Sequence, residues 1–227
     1  MITLMNLICG SIAITFIFKE NYLVAWLFVI LASVFDFFDG FAARALGAYS
    51  DVGKELDSLC DVVSFGVAPA LAFYSFYING DHVCEFLAYV PLAIAAASAF
   101  RLAKFNLDNR QQKSFLGLPT PACGLLVMSF VAGGNASIIN TEWFIPTFSL
   151  ILSALLVSEI PMFSMKKVTK RLKVFFIISA IAVIFEIVDM VLTDSTFKAT
   201  APNCMSDVFL IYLLVNLFSN KHKHETI

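Results

Sequence analysis

Four carboxylates, Asp36, Asp39, Asp57 and Asp61, stand within 26 residues and are flanked on both sides by strongly apolar sequence. The first two are spaced i, i+3 and the second two i, i+4, so on helices each pair shares one face. A carboxylate near the middle of a bilayer costs roughly 2.5–3.5 kcal/mol even on mild insertion scales, and four clustered acids repel one another. Something positive must sit between them, and hard divalent cations with oxygen ligands suit that need. Two helical acid pairs are suited to holding two metal ions about 3.5–4 Å apart, an arrangement that neutralises a diphosphate and polarises the phosphorus under attack. Gly40 allows a nucleotide close to the backbone. Arg44, one helical turn further on, carries a fork of donors for phosphate, and Ser50 offers a hydroxyl. The competing readings are solvated charges at helix ends and an acid relay in a cation or proton transporter. Arg44 and the placement of the acids on one side argue against a transmembrane path.

The elements that must position these acids follow from composition. Of 227 residues, 59% are hydrophobic, with a mean hydropathy of +0.85. A soluble domain is nearer half apolar, so the pattern indicates an all-α, polytopic membrane bundle forming a single integral membrane domain over residues 1–227. Backbone groups in lipid must be paired internally, which makes the spans helices. Eight are expected, at about residues 2–18, 22–45, 55–77, 87–105, 119–139, 144–164, 174–192 and 206–219. Prolines 69, 121, 146 and 161 fall in or near spans, where kinks are expected.

The charges orient this bundle. Thirteen of the 15 basic residues fall in one set of loops and ends: Arg44, Lys54, Arg101, Lys104, Arg110, Lys113, Lys166, Lys167, Lys170, Arg171, Lys173, Lys221 and Lys223. Only Lys19 and Lys198 fall in the other set. The positive-inside rule then puts both termini in the cytoplasm, with the turns at 19–21, 78–86, 140–143 and 193–205 outside. Asp36 and Asp39 end the second span, and Asp57 and Asp61 begin the third. All four therefore lie at one depth near the cytoplasmic face. The turn between them, residues 46–54, offers Ser50 or Asp51 as a helix cap.

Residues 36–61 also fit the signature D-x2-D-G-x2-A-R-x8-G-x3-D-x3-D at Asp36, Asp39, Gly40, Ala43, Arg44, Gly53, Asp57 and Asp61. In this the chain resembles the CDP-alcohol phosphatidyltransferase family. The resemblance implies a six-helix catalytic core over about residues 1–165, with additional C-terminal helices over about 174–219. It implies metal ligation by Asp36, Asp39, Asp57 and Asp61, with Asp61 also deprotonating the attacking alcohol, and two divalent ions, Mg²⁺ or Mn²⁺. It further implies contacts to CDP-diacylglycerol from Thr3, Asn6, Gly40, Ala43, Arg44, Ser50 and Gly53, and a homodimer in the inner membrane. Three stretches, Asn6–Gly10, Phe100–Asn106 and Gly117–Ala122, resemble the serine-accepting, membrane-embedded members of that family. The implied reaction is transfer of a phosphatidyl group from CDP-diacylglycerol to L-serine. The same chemistry on glycerol 3-phosphate or an inositol phosphate would need a further phosphate clamp, which Arg101, Lys104 and Arg110 could form.

Arg101 and Lys104 share a helix face, where they could hold a serine carboxylate or the donor phosphate; a helix-end anchor is the alternative. Asn106 and Thr120 could add neutral hydrogen bonds, Thr120 otherwise acting as a helix cap. Glu186 and Asp189 repeat the i, i+3 spacing without the residues that follow Asp39, which favours solvation or packing. The basic run Lys166–Lys173 suits anionic membrane lipids rather than nucleic acid. Cys9, Cys60, Cys84, Cys123 and Cys204 show no C-x2-C spacing and read as apolar fillers, with neither a disulfide framework nor a zinc site. His82, His222 and His224 carry no expected role, and no signal peptide is expected at the start. The charge asymmetry makes a direct prediction. In intact cells a membrane-impermeant thiol reagent labels Cys84 and spares cysteines introduced at 107–113; the reverse pattern inverts the topology.

Overall fold

The computed structural model describes residues 2–47, 50–80, 83–107, 115–133, 141–162 and 197–221, together with Ser179 and Val183. The helices are α1 (Ile2–Ile17), α2 (Tyr22–Leu46), α3 (Asp51–Asp61), α4 (Ala68–Ile78), α5 (Leu92–Leu107), α6 (Thr120–Gly133), α7 (Phe144–Val157) and α8 (Phe197–Lys221). A π-helical segment, Val62–Val67, joins α3 to α4, so Asp51–Ile78 runs as one 28-residue rod. A 3₁₀ turn, Glu85–Tyr89, leads into α5. The only strands among the described residues are a two-residue antiparallel pair, Phe115–Leu116 with Pro161–Met162. By length and composition the stretches Tyr22–Ala43, Asp51–Ile78 and Glu85–Leu107 can each cross a membrane, and α1, α6 and α7 are shorter apolar helices. Apart from that strand pair the described elements are helical, and the chain is a membrane protein.

Several boundaries differ from those read in the sequence. The third span begins at Asp51 because the Ser50 hydroxyl caps it, accepting from the Gly53 N–H at 3.0 Å. The span expected over 144–164 stops at Val157, where Ser158 is extended. There the Leu155 carbonyl accepts from Leu118 N–H at 3.0 Å and the Ile160 carbonyl from Gly117 N–H at 2.9 Å. The segment following the 115–116 strand thus satisfies carbonyls that a longer helix would have paired internally. The turn expected at 193–205 is helical from Phe197 onward, and α8 carries Pro202 within it. The seventh span, with Glu186 and Asp189, lies outside the described residues except for Ser179 and Val183. So do the basic run from Lys166 to Lys173, Arg110, Lys113, His82, His222 and His224.

The registers around the π segment position everything else. Helix α1 runs parallel to the Asp51–Ile78 rod. Asn6 meets Asp61 and Ser64, Gly10 meets Ser64, and the Ile17 carbonyl accepts from Ser75 at 3.4 Å. Helix α5 runs antiparallel to the same rod, with Asn106 on Ser58 and Ser98 on Gly66. Helix α6 sets Gly124 against the Phe65 backbone and reaches α2 through Trp26 Nε1–H donating to Ser129 Oγ at 3.0 Å. Pro69 gives the π turn a cause. It cannot donate to the carbonyl four residues back, Phe65, and its ring crowds that carbonyl, so the turn opens. The Phe65 backbone lies where a Cβ on Gly124 would come within 2.8 Å, and a Cβ on Gly10 would come within 2.7 Å of Ser64 Cα. Overpacking at such contacts typically costs about 1–3 kcal/mol. Gly10→Val and Gly124→Val should therefore lower the thermal midpoint of the detergent-purified protein by several degrees. Ala99→Val, on the exposed face of α5, should leave it nearly unchanged.

Candidate active site

The two ends that carry the acids are shaped locally. Helix α2 stops at Leu46 because Gly47 takes the left-handed conformation and its N–H closes on the Ala43 carbonyl. The Ser50 cap starts α3 three residues later, so the acids at the end of α2 face those at the start of the rod. Carboxylate oxygens of Asp36, Asp57 and Asp61 lie within 4.8 Å of one another. Asp36 and Asp57 approach within side-chain hydrogen-bond reach, a contact that two ionised carboxylates need a proton or cation to make. Asp61 is 7% exposed. Three hard oxygen donors this close, in a bundle too apolar to screen them, fit a divalent cation.

Asp39 stands beside this triad. Its Oδ2 accepts from Thr3 Oγ1, and its charge still acts on Asp36 and Asp57. Asn6 is fully buried and donates from Nδ2 to Asp61 Oδ1 at 3.0 Å, while its carbonyl accepts from Ser64 Oγ at 3.0 Å. Thr3 and Asn6, read in the sequence as facing a nucleotide, are thus placed on the acids themselves. Gly40 and Ala43 are half-buried on α2, and Arg44 occupies its last turn, with its side chain outside the described part. Ser50 and Gly53 form the cap of α3.

The four residues read as an acceptor site are not all brought together. Arg101 is 6% exposed and donates from Nη1 to Thr120 Oγ1 at 3.1 Å. The α5 register sets it level with Asp61–Val63, and its charge acts on Asp61. Lys104 instead pairs with Glu159 at 2.7 Å in a largely exposed contact. Asn106 braces α5 on α3, donating to Glu55 Oε1 at 3.2 Å and Ser58 Oγ at 2.9 Å, and its carbonyl accepts from Lys54 at 2.8 Å.

One contributor was not read in the sequence. Asn203 of α8 packs against Gly133 at the far end of α6, so the two helices run antiparallel, and buried Tyr212 reaches the Thr120 end beside Arg101. The signal available was the polar series Thr200, Asn203, Ser206, Tyr212 and Asn216 along the helix.

Fold and site together define a helical membrane protein with a partly buried carboxylate centre that fits a divalent cation. The family model for CDP-alcohol phosphatidyltransferase matches residues 1–200, and the chain belongs to that family, whose members are in general divalent-metal dependent. It is similar to the CDP-diacylglycerol–serine O-phosphatidyltransferase of Bacillus subtilis (strain 168), 41% identical over 133 residues, 57% of this chain and 73% of the relative. A protein of the same name from Methanocaldococcus jannaschii is 36% identical over 159 residues, 70% of each chain. The archaetidylserine synthase of Methanothermobacter thermautotrophicus is 31% identical over 154 residues, 67% of this chain and 65% of the relative. The geometry separates the acids: Asp36→Asn or Asp57→Asn, within the triad, should weaken Mn²⁺ binding by tenfold or more in a titration of the purified protein. Lys104→Met should leave that affinity unchanged.

Proposed function

We propose that this enzyme transfers the phosphatidyl group of CDP-diacylglycerol to L-serine, giving phosphatidylserine and CMP. The carrying observation is the triad of half-buried Asp36 and Asp57 with buried Asp61, and the buried guanidinium of Arg101 at the level of Asp61. Family membership and the names of the relatives above support the choice of donor and acceptor. The site lies at the cytoplasmic side of the inner membrane, in an eight-span bundle with both termini inside, and two copies pair as a homodimer.

Asp36, Asp39, Asp57 and Asp61 would hold two divalent ions, Mg²⁺ or Mn²⁺. When bound, such ions neutralise the diphosphate and stabilise the entering and leaving oxygens. Asp61 takes the proton of the serine hydroxyl. Its Oδ1 is engaged by Asn6, which leaves Oδ2 for that transfer. The serine oxygen forms a bond to the lipid-side phosphorus as the bond from that phosphorus to the bridging oxygen breaks, and CMP leaves with the bridging oxygen. Arg101, steadied by Thr120, takes the serine carboxylate. Thr3 fixes Asp39, and Gly40, Ala43 and Arg44 line the donor side, with Ser50 and Gly53 shaping the turn below it.

The test is CMP release by purified protein from CDP-diacylglycerol with a panel of alcohols. Serine should be the preferred acceptor, with activity lost in chelator; preference for glycerol 3-phosphate would overturn the assignment. Asp61→Asn keeps the shape but cannot accept the proton, so kcat should fall by about 10²–10⁴-fold while CDP-diacylglycerol binding survives. Normal turnover in that variant would remove Asp61 as the base.

A further inference from the structure

Among the described residues, four buried side-chain atoms have no hydrogen-bond partner: Asn6 Oδ1, Ser98 Oγ, Arg101 Nε and Ser179 Oγ. Two of them belong to residues that act on Asp61, Asn6 by a hydrogen bond and Arg101 through its charge. Asn6 is fully buried and Arg101 is 6% exposed, so each atom is shut away from bulk water. The Asn6 amide has its orientation set by chemistry. An ionised carboxylate only accepts, so the NH₂ must face Asp61, and the amide oxygen is left with its acceptor capacity unused. Arg101 spends Nη1 on Thr120 and keeps the Nε N–H.

The two atoms are also opposite in kind and come from different helices. Asn6 reaches Asp61 from α1, which runs parallel to the catalytic rod. Arg101 arrives at the same level from antiparallel α5, by the register that Asn106–Ser58 and Ser98–Gly66 define. An unspent acceptor and an unspent donor thus lie at the level of the carboxylate that takes the hydroxyl proton. A complementary ligand has a cationic N–H donor, an anionic acceptor and a hydroxyl on neighbouring carbons.

We propose that Asn6 and Arg101 form a clamp for a zwitterionic 2-amino-3-hydroxy acid: Asn6 Oδ1 accepts from the α-ammonium, and Arg101 Nε–H donates to the α-carboxylate. The inference rests on the reading of serine as acceptor and deepens it. Asn6 becomes a residue that touches the acceptor as well as the base, and with both ends of the amino acid held, the hydroxyl is presented to Asp61. A neutral amide suits the ammonium here, because another carboxylate beside Asp36, Asp57 and Asp61 would compete for the same cations.

The experiment measures CMP release from CDP-diacylglycerol with three acceptors: L-serine, 3-hydroxypropanoate, which lacks the ammonium, and ethanolamine, which lacks the carboxylate. The wild type should prefer serine over each by at least about 10²-fold in kcat/KM, since a site built to hydrogen-bond a group rejects analogues without it. In Asn6→Ala the bond to Asp61 is lost for every acceptor, so the absolute rate falls in all cases. The ratio of serine to 3-hydroxypropanoate isolates the ammonium contact and should collapse by at least about tenfold. The ratio of serine to ethanolamine should collapse in Arg101→Gln. An Asn6→Ala enzyme that loses both acceptors equally would show that Asn6 acts only through Asp61, and would overturn the clamp. Wild-type enzyme that uses 3-hydroxypropanoate as well as serine would overturn it without any variant. Wild-type enzyme that does not turn over serine would sink the functional reading itself, a result distinct from either.

Discussion

The mutual repulsion of carboxylates held within 4.8 Å of each other, inside a bundle with little water to screen them, is the constraint on which the structure turns. A cation offsets it when bound, and the protein contributes hydrogen-bond donors in fixed places. Helix α1 supplies two of these, Thr3 to Asp39 and Asn6 to Asp61. The same helix is locked along the catalytic rod by Gly10 on Ser64 and by its Ile17 carbonyl on Ser75. A first helix with no charged residue of its own therefore sets the geometry of charges carried by α2 and α3.

The second device is the π turn directly after Asp61. A π turn adds a residue to the helical repeat and turns the face that follows. The acids at 57 and 61 can then face the metal-binding side, while Phe65, Ala68, Ala72 and Phe73 beyond them are fully buried in the core. The cost is an opened backbone, and the fold confines it with small residues: Gly124 of α6 and Ser98 of α5 lie against Phe65 and Gly66. Such turns persist where surrounding packing over-determines them, and this one adjoins the buried acid.

Much of this was legible in the sequence because it is local. The i, i+3 and i, i+4 spacing of the acids, the Ser50 cap and the apolar helices depend on helical period alone, and Pro69 marked the place where the rod distorts. What was not legible depends on register between helices. Nothing in the first ten residues says that Asn6 meets Asp61 55 positions later. Helix α7 ends at Val157 where Gly117 and Leu118 take the carbonyls of Ile160 and Leu155, which is a tertiary event. The polar series of α8 was visible as composition, but only its antiparallel packing on α6 brings Tyr212 beside Arg101.

Arg101 and Lys104 show what burial adds to sequence. One turn apart on α5 and both basic, they are equivalent candidates for an anionic ligand until the neighbours are known. Lys104 points to a rim where Glu159 already neutralises it, with the two side chains 35% and 58% exposed. A pair that open to water contributes little to stability or to recognition. Arg101 is enclosed, hydrogen-bonded to a neutral hydroxyl with only the nearby charge of Asp61 to offset its own, and keeps an N–H unspent. A buried charge without a counter-ion is expensive unless a ligand supplies one. The nearby anion on the protein is Asp61, which is committed to Asn6 and the acidic triad. The arrangement is therefore most stable when a small anion enters from the substrate side, and a carboxylate attached to the attacking alcohol brings that charge and the nucleophile together.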